Sequence, residues 1–224
     1  MKLTYEVLKQ DEQVRAYIES GNKTLKVLGF TEHSFAHVCY TAETAARILQ
    51  ELGFDENEVE MVKIAGFMHD IGNMINRKYH APAGAEIART VLEKYKVPYE
   101  EIGTIVSAIG NHDENSGKPA NAVSAALIIA DKVDVRRSRV QETCMEKILA
   151  DIHDRVNYAV TRSELQIIKT ENITKIRLCL DLDLDFTPVL DYFEIFLTRM
   201  VLCRRAADFL GAEFELFINN SKIV

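Results

Sequence analysis

The sequence predicts a mainly α protein: a helical domain over residues 1–158 followed by a small α+β domain, β-β-α-β in order, over residues 159–224. Two observations carry this. Apolar residues recur at helical spacing, between cap residues, through the first 140 positions, and the period then shortens to two in TKIRLCLDLDLD. A hydrophobic content of 47% with 27% charged residues over 224 positions is that of an ordinary globular chain with room for a sizeable core.

In chain order, Thr31 is placed to cap a helix running to about Gly53, with Val38, Ala42, Ala45, Ala46 and Leu49 on one face and the glycine as its stop. Asp55 followed by Glu58 resembles a capping box for a helix through Val59, Val62 and Ala65 toward His69. Pro82 and Pro98 fit the first turns of helices over about 82–95 and 98–111. The polar stretch HDENSGKPAN (112–121) reads as a loop, and helices over about 121–137 and 141–158 follow. Beyond it, Ser163–Lys169, Lys175–Asp185 and Glu213–Ile218 read as strands. Ile176, Leu178, Leu180, Leu182 and Leu184 share one face of the middle strand. A helix from Thr187-Pro188 to Gly211 separates the last two. The expectation is a small antiparallel sheet with that helix on its apolar face, and open sheet edges that favour a homodimer.

Composition excludes several classes. No apolar run reaches the roughly 18 residues of a membrane span, and MKLTYEVLKQDEQ lacks a signal-peptide core. Cys39, Cys144, Cys179 and Cys203 have no paired spacing, which fits reduced thiols and a cytoplasmic location. A net charge of -7 argues against general nucleic-acid binding, although Lys132, Arg136, Arg137 and Arg139 form a local basic cluster.

The chemistry is concentrated in His37, His69, Asp70, His80, His112 and Asp131, a set that takes four of the six histidines. Imidazole and carboxylate together suit iron, manganese, cobalt or zinc, and the two oxygens of Asp70 could serve two ions. Adjacent helical residues point about 100° apart, so His69 and Asp70 share a site only if it lies beside the helix. His33 reads as a histidine beside the site or facing solvent, and His153 as a surface residue. Asp134 reads as the partner of Arg137 or Arg139 rather than as a ligand. Asp181, Asp183 and Asp185 would spread over roughly 13 Å of strand, a solvated acidic face rather than an ion site.

In their order and context these residues resemble the HD superfamily of metal-dependent phosphohydrolases. AGFMHDIGN (65–73) resembles the family's apolar run into His-Asp. HAPAGAEIA (80–88), NHDENSGKP (111–119) and IADKVDV (129–135) are similar to segments of its two-metal HD-GYP branch. The sequence departs from that branch at three points. Asn111 stands in place of a histidine, Asn73 in place of a common lysine, and Gly117 is followed by Lys118-Pro119 instead of Tyr-Pro. These departures argue against cyclic-di-GMP as substrate. The resemblance implies one or two divalent transition metals, the first held by His37, His69, Asp70 and Asp131 and the second by Asp70, His80 and His112. It implies hydrolysis of a phosphorylated, nucleotide-like small molecule, with Asp70 and Lys132 as the catalytic candidates. Asn73, Arg77, Lys78, Asn111, Lys132 and Arg136 neighbour the ligands and are candidates for the substrate phosphate. A cyclic-dinucleotide phosphodiesterase and a non-enzymatic metal or ligand sensor are the alternatives.

Overall fold

Side-chain caps decide where most of the long helices begin. The computed structural model describes residues 2–224. In it α1 (Tyr5–Leu8), α2 (Glu12–Val27), α3 (Phe35–Leu52) and α4 (Glu56–Met68) lead into a 3₁₀ turn, Ile71–Met74. Next come α5 (His80–Lys94), α6 (Tyr99–Gly110), α7 (Ala122–Lys132) and a second 3₁₀ turn, Arg137–Arg139. The chain continues as α8 (Met145–Ala150), α9 (Ile152–Ala159), β1 (Val160–Lys169), β2 (Thr174–Leu182), α10 (Val189–Phe209), β3 (Ala212–Ile218) and β4 (Ser221–Lys222). The protein is mainly α with a small four-stranded sheet at its C-terminal end.

The cap of α3 is Ser34, whose hydroxyl accepts from the Ala36 N–H at 3.3 Å, and not Thr31. The Thr31 carbonyl instead accepts from the His33 ring at 2.6 Å. Asp55 caps α4 by accepting from the Glu58 N–H at 2.9 Å. Asn121 and Ser124 form a reciprocal capping box on α7, at 2.7 and 2.9 Å. The single helix expected over 141–158 is two. Asp151 leaves the helical region (φ −93°, ψ 123°), and its carboxylate accepts from the Asp154 N–H at 3.0 Å to start α9. A short side chain that bonds its own backbone competes with helix continuation, and here it wins.

The sheet has the order β1-β2-β3-β4. β1 and β2 form an antiparallel hairpin, β2 and β3 are parallel from Thr174↔Ala212 to Leu180↔Ile218, and β4 folds back antiparallel on β3. The expected all-antiparallel sheet is therefore corrected to a mixed one. A strand, a helix and a next-door strand form a crossover, and a crossover of that kind returns the chain in the same direction. β2 also ends at Leu182, so Leu184 is exposed and the acidic row is broken. The Asp183 carboxylate accepts from the Asp185 N–H at 3.1 Å, forming a turn.

α7 lies at the centre of the packing. Every residue from Ala125 to Ala130 is fully buried, because α3, α4, α6 and α10 surround the helix. A helix that is apolar all round is a core helix. Tyr192, Phe196, Met200 and Cys203 of α10 join the same connected core as Val38 and Leu49 of α3 and Ile176 and Leu178 of β2. The C-terminal end of α7, where Asp131 sits, is thereby fixed from several sides.

Candidate metal centre

α4 runs through buried Ile64, Ala65, Phe67 and Met68 and ends at His69, its C-cap. Asp70 then turns out of the helix (φ −97°, ψ 3°), which lets two adjacent side chains reach one point. The following 3₁₀ turn presses so closely on the start of α5 that a Cβ on Gly72 would collide with the His80 carbonyl. Gly66 is similarly constrained, since a Cβ there would lie 2.6 Å from the Cα of Ala42 on α3. These approaches bring the ends of α4 and α5 and the middle of α3 around the His-Asp pair.

The geometry has two sides. On one, His37 Nε2 and His69 Nε2 are 3.2 Å apart. Asp70 Oδ2 lies 3.5 and 3.2 Å from these two nitrogens, and Asp131 Oδ1 lies 3.3 and 3.6 Å from them. On the other, His80 Nε2 and His112 Nε2 are 3.0 Å apart, and Asp70 Oδ1 lies 3.5 and 3.9 Å from them. Donors held about 2.1 Å from one ion lie about 3.0–3.4 Å from their neighbours, close to these spacings. His37, His69, Asp70, His80 and His112 are all buried, and Asp131 is half-buried.

The tautomers fit a cation at each point. The Nδ1 atoms of His69, His80 and His112 face the carbonyls of Gly66, Arg77 and Ile109 at 2.7, 2.8 and 2.6 Å. A carbonyl only accepts, so each Nδ1 carries the hydrogen and Nε2 is the nitrogen each ring turns inward. His37 Nδ1 makes the equivalent bond to Asp134 Oδ2 at 2.7 Å. Two Nε2 atoms facing each other at 3.2 and 3.0 Å need a positive charge between them, a proton or a metal ion.

Electrostatics distinguish the two sides. Burial disfavours a charged His69, yet Asp70 and Asp131 overcome it and push the pKa up to about 10. His37 is also raised, with the bonds to Asp131, Asp134 and Asp70 outweighing burial and Arg139. His80 and His112 are lowered, mainly by burial. Asp70 and Asp131 are held well below the usual carboxylate range. Burial opposes this, but His69 dominates at Asp70 and Lys132 at Asp131. The His37–His69 side has two carboxylate oxygens within 3.6 Å of its nitrogens, whereas the His80–His112 side has Asp70 Oδ1 at 3.5 and 3.9 Å and Asp113 Oδ2 at 4.0 Å from His80 Nε2.

A cavity of about 240 Å³ opens on this cluster. Asp70, His80, His112, Asp131, Arg77, Lys132 and Arg139 line it, with Leu28 to Thr31 and His33 on one wall and His153 and Arg199 on the other. Of the residues expected at a substrate phosphate, Arg77 and Lys132 face this cavity. The others do not. Asn73 donates to both the carbonyl and Oδ1 of Asp70 (3.0 and 2.8 Å), so it orients the carboxylate. Asn111 caps α6 by donating to the Ser107 carbonyl at 2.9 Å. Arg136 pairs with Asp134 and lies over the Tyr40 ring, and Lys78 is exposed over Tyr79.

Asp134 is paired mainly with Arg136 and His37 rather than with Arg137, and Arg139 stands 3.9 Å away. His33 is buried on the cavity wall, 3.9 Å from Asp70 Oδ2. His153 is exposed, at the cavity rim. Sequence reasoning missed Glu114 and Arg199. Arg199 Nε donates to Glu114 Oε1 at 2.9 Å across 85 positions, a contact no local pattern announces.

The profile of the HD domain family matches residues 34–159. Ribonuclease Y of Opitutus terrae is 32% identical over 123 residues, which is 50% of this chain and 21% of that protein. The chain thus spans about a fifth of that relative's length. An uncharacterized protein of Methanocaldococcus jannaschii is 24% identical over 188 residues, 74% of this chain and 71% of that protein. A crystal structure described as a predicted HD superfamily hydrolase, from an uncultured Thermotogales bacterium, aligns over 58% of this chain and 73% of that one, at 21% identity and a TM-score of 0.44.

Proposed function

The chain belongs to the HD domain family, and from that premise we propose that it is a metal-dependent phosphohydrolase acting on a phosphoester or phosphoanhydride of a nucleotide-like small molecule. The observation that carries the reading is the division of one carboxylate between two imidazole pairs: Asp70 Oδ2 toward His37 and His69, Oδ1 toward His80 and His112. His37, His69, Asp70 and Asp131 would hold one ion and Asp70, His80 and His112 a second. What divalent ions supply when bound is a lowered water pKa and compensation of phosphoryl charge. The chain's own part is to orient and to hold charge. Asn73 fixes Asp70 in the attitude that serves both sides. Lys132 lies 2.7 Å from Asp131 Oδ2, which leaves Oδ1 to the histidines. Arg77, 3.8 Å from Asp70 Oδ1 and on the cavity wall, is placed to receive a phosphoryl oxygen. Among the described residues no helix is long and apolar enough to cross a membrane.

The test is a panel of nucleotides, dinucleotides, simple phosphate esters and short oligoribonucleotides, assayed with and without chelator. The oligoribonucleotides belong there because relatives carry the name ribonuclease Y. Chelator-sensitive turnover of at least one small phosphorylated compound is expected, and Asp70→Ala should abolish it. Turnover that survives loss of the metal would place catalysis elsewhere in the chain. No turnover across the panel would favour the sensor reading.

A further inference from the structure

Beyond the ligands, a row of charges runs from the metal centre to the C-terminal helix. Lys132 Nζ lies 2.7 Å from Asp131 Oδ2 and 2.7 Å from Glu114 Oε2. Glu114 Oε1 in turn accepts from Arg199 Nε of α10 at 2.9 Å. Lys132 and Arg199 both line the cavity. Two cations from different elements thus share one carboxylate, Glu114, carried on the loop that follows His112. The other anion near Lys132, Asp131, turns its second oxygen to His37 and His69.

Glu114 occupies both cations, but it does not use all of their donors. Its Oε2 is buried, with Lys132 Nζ at 2.7 Å. Only Nε of Arg199 is engaged, and its terminal amino groups have no hydrogen-bond partner among the described residues. A planar guanidinium offers more donors than one carboxylate oxygen uses here. A phosphoryl group, with three oxygens, would satisfy both cations at once.

We propose that Lys132 and Arg199 form a second anion subsite, which receives a phosphoryl group adjoining the one held at the Asp70 centre, and that Glu114 fills it until substrate displaces the carboxylate. The ligand class is a compound with two linked phosphoryl groups, such as a nucleoside diphosphate or triphosphate. This deepens the hydrolase reading and rests on it for the nature of the anion. Arg199 then makes α10 part of the substrate cavity, and Glu114 holds the two cations apart and charged in its absence.

Calorimetric titration of inorganic pyrophosphate and inorganic phosphate into the metal-loaded protein tests this. Glu114→Gln removes the competing charge and should tighten pyrophosphate about tenfold, while single phosphate changes little. Arg199→Gln should weaken pyrophosphate by a similar factor. Damage to the fold would not produce the gain, so the opposite signs separate competition from a structural role. Unchanged or weaker pyrophosphate binding by a folded, metal-replete Glu114→Gln protein overturns the proposal. If that variant does not fold, an unchanged affinity in Arg199→Gln does so alone. Absence of turnover in the wild type, with the affinities moving as stated, would defeat the hydrolase reading and leave the subsite standing.

Discussion

Asp134 shows how much of a ligand's behaviour is set one residue away from the ion. Its Oδ2 accepts from His37 Nδ1 at 2.7 Å, which fixes the ring's tautomer and aims Nε2 at the cluster. Its pKa is held well below the ordinary carboxylate value. Burial opposes that, and the bond to His37 and the charge of Arg139 outweigh it. Asp134→Asn keeps the shape but lets the ring rotate or change tautomer. The expected result is about a 10–100-fold loss of metal affinity in titration against a chromophoric chelator, with helical content unchanged. Unaltered affinity would mean that packing alone orients His37. At this scale the sequence was legible where chemistry is unusual: two histidines and two carboxylates in a spaced order have few other uses. It was not legible where a common residue turns inward. Asp134 reads from sequence as a partner of Arg137 or Arg139, and Arg139 does stand 3.9 Å from it, with Arg136 closer still. The decisive neighbour, His37, is 97 positions distant.

Elements were legible where their signal is local. Asp55, Asn121 and Gly53 act at helix ends as their side chains or backbone freedom dictate. Strand direction is not a local property, and the parallel pairing of β2 with β3 followed only from where α10 lies. That pairing brings Glu215 of β3 between Lys175 and Arg177 of β2, at 2.9 and 2.7 Å, with Lys222 of β4 at 2.9 Å. The Lys175 bond chiefly, with those of Lys222 and Arg177 and against the effect of burial, lowers the Glu215 pKa to about 2 from its ordinary 4.5. A depressed folded-state pKa stabilises fully above the unfolded value, and that stability is lost as pH falls from about 4.5 through about 2. Glu215→Gln should therefore cost about 1–3 kcal/mol at neutral pH. It should also flatten the decline in chemical-denaturation stability over that acid range. An equally steep acid decline in the variant would show that other carboxylates dominate it.

At the scale of the molecule, α10 covers α7 with Tyr192, Phe196, Met200 and Cys203, all buried. Burial of each large apolar side chain contributes about 1.5–3 kcal/mol, and a domain's net stability is only about 5–15 kcal/mol. A chain ended at residue 159 is therefore expected to lose its cooperative thermal transition. A native-like melt in that truncated protein would show that residues 2–159 hold α7 without α10. The alternating pattern of residues 176–184 and the cap-to-cap helix after Pro188 foretold that a helix and a sheet would pack together. Which helix of the first 140 residues they would cover was decided by shape complementarity spread over many side chains. All of this packing converges on the Asp70 centre, and metal content tests it most directly. Elemental analysis of protein purified without chelator should find about one equivalent or more of a divalent transition metal in the wild type, and His69→Ala should lose it. Full metal content retained by folded His69→Ala protein would contradict the account.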